Sequence, residues 1–74
     1  MKRRDKVWWR SEPPMQSPDD AIWILRDGHS EDGRGSPTVI GYTTDRLVAL
    51  AHHRRCQKSP YCIGDVVEVW PYRP

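Results

Sequence analysis

The residues best suited to chemistry are two histidines and two cysteines in the second half of the chain, His52, His53, Cys56 and Cys62. His52 and Cys56 are four residues apart and would project from one face of a helix, with Cys62 in the loop beyond it. This spacing fits no standard four-ligand zinc motif, and histidines near a helix C-terminus also favour its partial negative charge. We therefore predict no metal site and no cofactor, with zinc as the less favoured alternative.

The two cysteines also bear on the compartment in which the protein works. They are too few for the disulfide framework of small secreted scaffolds, and no apolar run follows the basic start as a signal peptide requires. We therefore expect a cytoplasmic protein. A disulfide between Cys56 and Cys62 is sterically possible, but a reducing compartment favours free thiols.

A glycine-bearing loop contains His29, Ser30, Glu31 and Asp32, which could suggest acid–base catalysis. Loops commonly collect such residues, and the sequence supplies no convincing nucleophile with a base and an oxyanion donor. The loop glycines precede neither a helix nor a Lys-Ser/Thr pair, so they do not predict a phosphate-binding loop. We predict that the protein is not an enzyme.

The most distinctive segment is residues 2–10, where Trp8 and Trp9 lie among five Lys and Arg residues. Tryptophans are unfavourable in water, so we expect these two either to complete the core or to anchor a protein partner. Prolines at 13, 14 and 18 exclude regular structure there, so residues 1–20 are predicted to form a flexible arm or linker. The predicted partner contacts are Trp8, Trp9, Arg10, Trp70 and Tyr72.

Nucleic acid is the alternative partner, because basic side chains neutralise phosphates and neighbouring aromatic rings stack on bases. The residues predicted for such contacts are Arg3, Arg4, Arg54, Arg55 and Lys58. Basic residues at a helix end are also commonly solvated without a partner. A steep loss of affinity with salt would distinguish nucleic-acid binding from protein binding.

Size and composition favour one small domain that acts through its surface. The chain has 74 residues, a formal net charge of +2 and a mean hydropathy of −0.84. A chain this short has a thin core, and its longest apolar runs are far below the roughly 18 residues that a membrane helix needs. We expect a monomer with no membrane partner.

The pattern of apolar residues predicts an α+β domain over residues 21–72, with the order β-β-α-β. Ala21–Leu25 is dense in β-branched and aromatic residues and reads as the first, buried strand, and Pro37–Tyr42 returns as the second. Thr43 or Thr44 would cap a helix whose apolar stripe, Leu47, Leu50 and Ala51, faces the sheet. Asp65–Trp70 is the third strand, with Val67 and Val69 on one face.

The helix is long enough to cross the sheet, so the third strand can lie on the far side of the first. This predicts a three-stranded sheet of order 2-1-3, antiparallel or mixed, with one helix packed on one face. The most apolar strand is then central, where a strand covered on both faces belongs.

Three segments, Trp23–Asp27, Val39–Asp45 and Val66–Trp70, together with the basic start, resemble a family of small phage-encoded transcription regulators, among them those of lytic Xanthomonas phages. The resemblance covers the whole chain through length and order of elements. It implies a non-enzymatic protein that binds the amino terminus of the beta-prime subunit of bacterial RNA polymerase in the host cytoplasm. It further implies inhibition of sigma-dependent initiation and promotion of antitermination, and it assigns no contact residues.

Overall fold

The computed structural model describes residues 3–8 and 20–71, which form one antiparallel sheet with a single helix on one face. The sheet has four strands in the order β1-β4-β2-β3, and all neighbouring strands are antiparallel. In chain order the elements are β1 (Arg3–Val7), β2 (Ile22–Asp27), β3 (Thr38–Thr43), α1 (Arg46–Gln57) and β4 (Asp65–Pro71).

The predicted α+β class and the order of the three expected strands are confirmed. β2 lies between β3 and β4, which is the predicted 2-1-3 arrangement, and each boundary differs by two residues or fewer. β2 is less covered than expected, because Ile22 at its start is exposed while Trp23 beside it is buried. The helix therefore covers one face of this strand only.

The prediction of a flexible arm over residues 1–20 is wrong for its first part, because Arg3–Val7 forms strand β1 on the outer side of β4. The register sets Arg4 opposite Trp70 and Lys6 opposite Glu68. The prolines that exclude a strand begin only at position 13, so residues 3–8 are free to join the sheet. The remainder of the predicted linker, residues 9–19, lies outside the described residues.

The N-cap of helix α1 lies one residue after Thr44 and two residues after Thr43, the two predicted caps. Asp45 is the N-cap, and its carboxylate accepts a hydrogen bond from the amide of Leu47 at 2.9 Å. The Thr43 hydroxyl accepts instead from the amide of Asp45. Asp45 offers a charged acceptor at the positive end of the helix, which favours it over a threonine.

The predicted helix stripe is also wrong in phase. Leu47 is 70% exposed and Ala51 is exposed, whereas the buried helix residues are Ala49, His52 and His53. The sheet face beneath the helix already carries the large Trp8 and Trp23 rings, so a small alanine and two flat imidazoles pack there.

The core is small and depends on Trp8. Its ring is fully buried, 6.4 Å from the Trp23 ring and edge-on to His53. Its indole nitrogen donates to the buried carboxylate of Glu68 at 3.1 Å, and Trp70 donates to the other oxygen of that carboxylate. The buried apolar residues of this cluster are Trp8, Ala21, Trp23, Ala49 and Val66.

An ion pair closes the opposite end of the central strands. The Arg26 guanidinium donates two hydrogen bonds to the carboxylate of Asp65, directly across from it on β4. This hydrogen-bonded carboxylate raises the pKa of Arg26 above its usual range. A bulge between Leu25 and Arg26 shifts the β2–β3 register at the same place.

No helix within the described ranges is long and apolar enough to cross a membrane.

Candidate functional site

Most of the exposed large apolar side chains of the described residues lie close together in the sequence, on strand β3 and the first turn of α1, and Val7, Ile22 and Tyr61 are exposed elsewhere. Tyr42 is 75% exposed and Ile40 is 57% exposed, and the other members are about half exposed or more. The chain as a whole is polar, yet five of the ten residues from Val39 to Val48 are exposed large apolar residues. The set, called here the β3 surface, consists of Val39, Ile40, Tyr42, Leu47 and Val48.

The backbone of β3 makes this surface suitable for binding another polypeptide. β3 is an edge strand, and its outer side pairs with no other strand in residues 3–8 and 20–71. Its sequence, TVIGYT, contains no charge and no proline. An edge strand presents unpaired N–H and C=O groups, which an added strand can satisfy.

The other edge of the sheet has the opposite character. Four of the five residues in β1, RRDKV, are charged. Charged residues, lysine in particular, disfavour pairing of an edge with a further strand. The two edges therefore differ in charge, and β3 lacks the charged residues that disfavour strand addition. The β2–β3 register leaves Ile40 as an extra residue of β3 without a partner, so a bulge interrupts the regular pairing of this edge.

The structure separates the predicted partner contacts. Trp8 lies in the core, which is the alternative to its role as an anchor, so its indole is not available at the surface. Trp70 is half-buried, packs against the core and donates to Glu68. Trp9, Arg10 and Tyr72 lie outside the described residues.

The exposure of the five side chains that form the β3 surface was not predicted from the sequence. Leu47 was assigned to the buried stripe, and the exposure of Tyr42 depends on the strand order rather than on any local motif. The available signal was the absence of charge in Thr38–Thr43, which contrasts with the charged start of the chain.

The predicted basic residues fall into two groups on different elements. Arg54, Arg55 and Lys58 are exposed at the C-terminal end of α1, where they complement the helix dipole. The Arg55 guanidinium donates to Nδ1 of His52 at 3.3 Å, and Nε2 of His52 donates to the carbonyl of Arg26. The other two predicted residues, Arg3 and Arg4, belong to β1.

A cleft of about 470 Å³ opens at this end of the helix, and a disulfide lies in its wall. The prediction of free thiols is wrong, because Cys56 is bonded to Cys62. Their Cα atoms are 5.6 Å apart, within the range that a disulfide bridges. The residues that line the cleft are Asp27, Gly28, His29, His52, Arg55, Cys56, Ser59 and Cys62.

In the polar loop after β2, the side chains that could suggest acid–base catalysis make structural contacts instead. The His29 ring stacks on Tyr61 with their centroids 5.5 Å apart. Asp32 accepts from the Ser30 hydroxyl at 2.8 Å and from the Arg34 amide at 3.1 Å. These bonds, with that from Ser30 the larger effect, lower the pKa of Asp32. They close a turn in which Gly33 has a φ of +72°.

Comparison with known proteins gives no assignment. No family model, curated protein or solved structure matches the chain.

Proposed function

We propose that this chain is a non-enzymatic binding protein whose protein partner docks on the β3 surface. The observation that supports this most directly is the combination of an open, uncharged edge strand with exposed apolar side chains on and beside it. An extended segment of the partner would add to the sheet beyond β3. Backbone hydrogen bonds would then supply affinity, and side chains such as Ile40 and Tyr42 would supply specificity.

We further propose that the partner is bacterial RNA polymerase, met in the host cytoplasm. This identification rests on the resemblance of three segments to small phage-encoded transcription regulators. It would place the contact at the amino terminus of the beta-prime subunit, with inhibition of sigma-dependent initiation and antitermination as its consequences. An apolar contact through the β3 surface predicts that binding tolerates salt, since few ion pairs are involved.

The test compares one substitution on each edge of the sheet in the full chain. Ile40→Lys places a charge on the β3 edge, and Val7→Lys places the same charge at a similarly exposed position on β1. We expect Ile40→Lys to weaken binding to purified polymerase at least about tenfold, the effect of losing one substantial interface contact. Val7→Lys should bind nearly as the unchanged chain does.

Biosensor binding curves for the three proteins, with circular dichroism to establish folding, give the answer. Equal affinity of the folded Ile40→Lys and Val7→Lys variants would exclude β3 as the docking edge. Failure of the unchanged chain to bind polymerase would exclude that partner. Inhibition of transcription from a sigma-dependent promoter in vitro should follow the same order as binding.

Nucleic acid is the second candidate partner, because Arg54, Arg55 and Lys58 are exposed. The same binding assay tests this alternative. An Arg54→Ala, Lys58→Ala double variant should leave polymerase binding unchanged. If the chain instead acts on nucleic acid, its affinity for an oligonucleotide should fall steeply between about 50 and 200 mM salt, and the double variant should reduce that slope.

A further inference from the structure

A set of metal-ligating atoms comes together in the cleft, away from the β3 surface. One ligand atom from each of Asp27, Cys56 and Cys62 lies within 4.8 Å of the others. These residues come from the end of β2, the last turn of α1 and the loop before β4. Sulfur and carboxylate oxygen are ligands that zinc accepts. We propose that the chain binds one zinc ion here when the Cys56–Cys62 disulfide is reduced.

The ligand set differs from the one suggested by the sequence. Both ring nitrogens of His52 are already hydrogen-bonded, to the Arg26 carbonyl and to Arg55. His53 is buried against Trp8 on the core side of the helix. Asp27 takes their place, because the end of β2 reaches the cleft and Asp27 Oδ1 lies 3.8 Å from Cys62 Sγ.

The backbone positions of Cys56 and Cys62 suit both the disulfide and a zinc site. In a tetrahedral zinc site with Zn–S bonds of about 2.3 Å, the two sulfurs are about 3.8 Å apart. The Cα separation of 5.6 Å allows this by rotation of the side chains alone. Gly64 lets the three elements approach closely, since a Cβ there would lie 3.2 Å from Cys56 Sγ and 2.5 Å from the Arg26 carbonyl.

The charges around this position are of both signs, because the basic residues Arg54, Arg55 and Lys58 lie at the same end of the helix. The site lies at the C-terminal end of a twelve-residue helix, where the partial charge is negative. Zinc with two thiolates and one carboxylate carries a single negative charge, which Arg55 in the cleft wall offsets. The amide of Gly28 donates to Asp27 Oδ1 at 2.8 Å and holds the carboxylate in place.

Both thiols of the reduced form would also have acceptors. Cys56 Sγ lies 3.3 Å from the Gly64 carbonyl, and Cys62 Sγ faces Asp27. An external dithiol supplies the two electrons and two protons that break the S–S bond, and it becomes a cyclic disulfide itself. Zinc then replaces the two thiol protons. The three protein ligands leave the fourth position to a water from the cleft.

The test measures zinc in the full chain by elemental analysis after reduction under argon, addition of zinc alone and gel filtration. We expect one zinc per reduced chain and none per oxidised chain. Cobalt as a spectroscopic probe should give thiolate-to-metal charge-transfer bands. Reduced protein that retains no zinc would overturn the proposal.

Substitutions identify the ligands. Asp27→Asn should weaken zinc binding at least about tenfold, since even indirect partners of a metal site cost 10- to 100-fold when changed. Cys62→Ser should abolish the charge-transfer bands, with circular dichroism as the folding control. Glu31→Gln is the matched control, because Glu31 is an exposed acid of the neighbouring loop that does not line the cleft. Equal zinc affinity of Asp27→Asn and Glu31→Gln would contradict the proposed ligand set.

Discussion

The two edges of the sheet are built from opposite kinds of residue. β1 is charged at four of five positions and is followed at once by Trp8, whose ring is fully buried. β3 has no charge in six residues and leaves Ile40 and Tyr42 in solvent. The charged edge is thus tied to the core, and the apolar edge is left open. Val7 on β1 is also about half exposed, so the difference between the two edges lies mainly in their charge.

The largest expected effect of a substitution concerns the anchor of the charged edge. Trp8→Ala should cost about 3–5 kcal/mol, which is comparable to the whole free energy of unfolding expected for a chain of this size. Tyr42→Ala removes an aromatic ring from the open edge and should cost less than about 0.5 kcal/mol. Urea denaturation monitored by circular dichroism measures both. Similar losses in the two variants would remove the distinction between the edges.

The next effect tests the polar contact that holds Trp8. Glu68→Gln keeps the shape of the side chain but presents an amide N–H₂ group to an indole N–H of Trp8 or Trp70. We expect a loss of about 1–3 kcal/mol from the unsatisfied buried donor, seen as a lower urea midpoint. A midpoint equal to that of the unchanged chain would show that the carboxylate does not hold these rings.

A smaller effect concerns two glycines, at which an alanine substitution should change the free energy of unfolding in opposite directions. A Cβ on Gly41 would meet nothing within 4 Å, whereas a Cβ on Gly64 would clash with backbone. Gly41→Ala should therefore raise the free energy of unfolding by about 0.4–1 kcal/mol, and Gly64→Ala should lower it. Thermal denaturation of the two variants provides the comparison. A destabilised Gly41→Ala variant would mean that another group packs on this part of β3.

The smallest expected effect lies in the loop that joins the core to the open edge. Hydrogen bonds from Ser30 and Arg34 lower the pKa of Asp32, so the charged carboxylate stabilises the folded loop. This contribution is present above the usual Asp pKa of about 3.9 and is lost as the pH falls through the lower folded value. NMR titration should place the Asp32 midpoint below the usual value, and Ser30→Ala should move it back up. An unchanged midpoint in Ser30→Ala would exclude that bond as the cause.

The sequence was sufficient for three of the four strands of the sheet and for their order. Ala21–Leu25 is the most apolar segment, and a short chain must bury such a segment in the middle of the sheet. The alternation along Asp65–Trp70 predicted the two faces of this strand but not which of them meets the core. Val66 and Glu68 are fully buried, and Val69 on the other face is buried as well.

Other features could not be predicted because they depend on contacts distant in the sequence. Trp8 is separated from its partner Glu68 by 60 residues, so nothing local distinguishes a core tryptophan from an anchor. The predicted helix phase was wrong because His52 and His53 are buried against the sheet, whereas Leu47, which was expected there, is exposed. The prediction of free thiols rested on the expected compartment. It was wrong because the end of the helix brings Cys56 and Cys62 close enough to form a disulfide.

Hydrogen–deuterium exchange of the chain, alone and bound to the proposed partner RNA polymerase, shows directly whether β3 is the docking edge. We expect the amides of Thr38–Thr43 to become protected in the complex, because an added strand satisfies the open edge of β3. The amides of Arg3–Val7 should exchange at the same rate in both states. Protection confined to β1 or to the basic end of α1, with β3 unchanged, would contradict docking at β3.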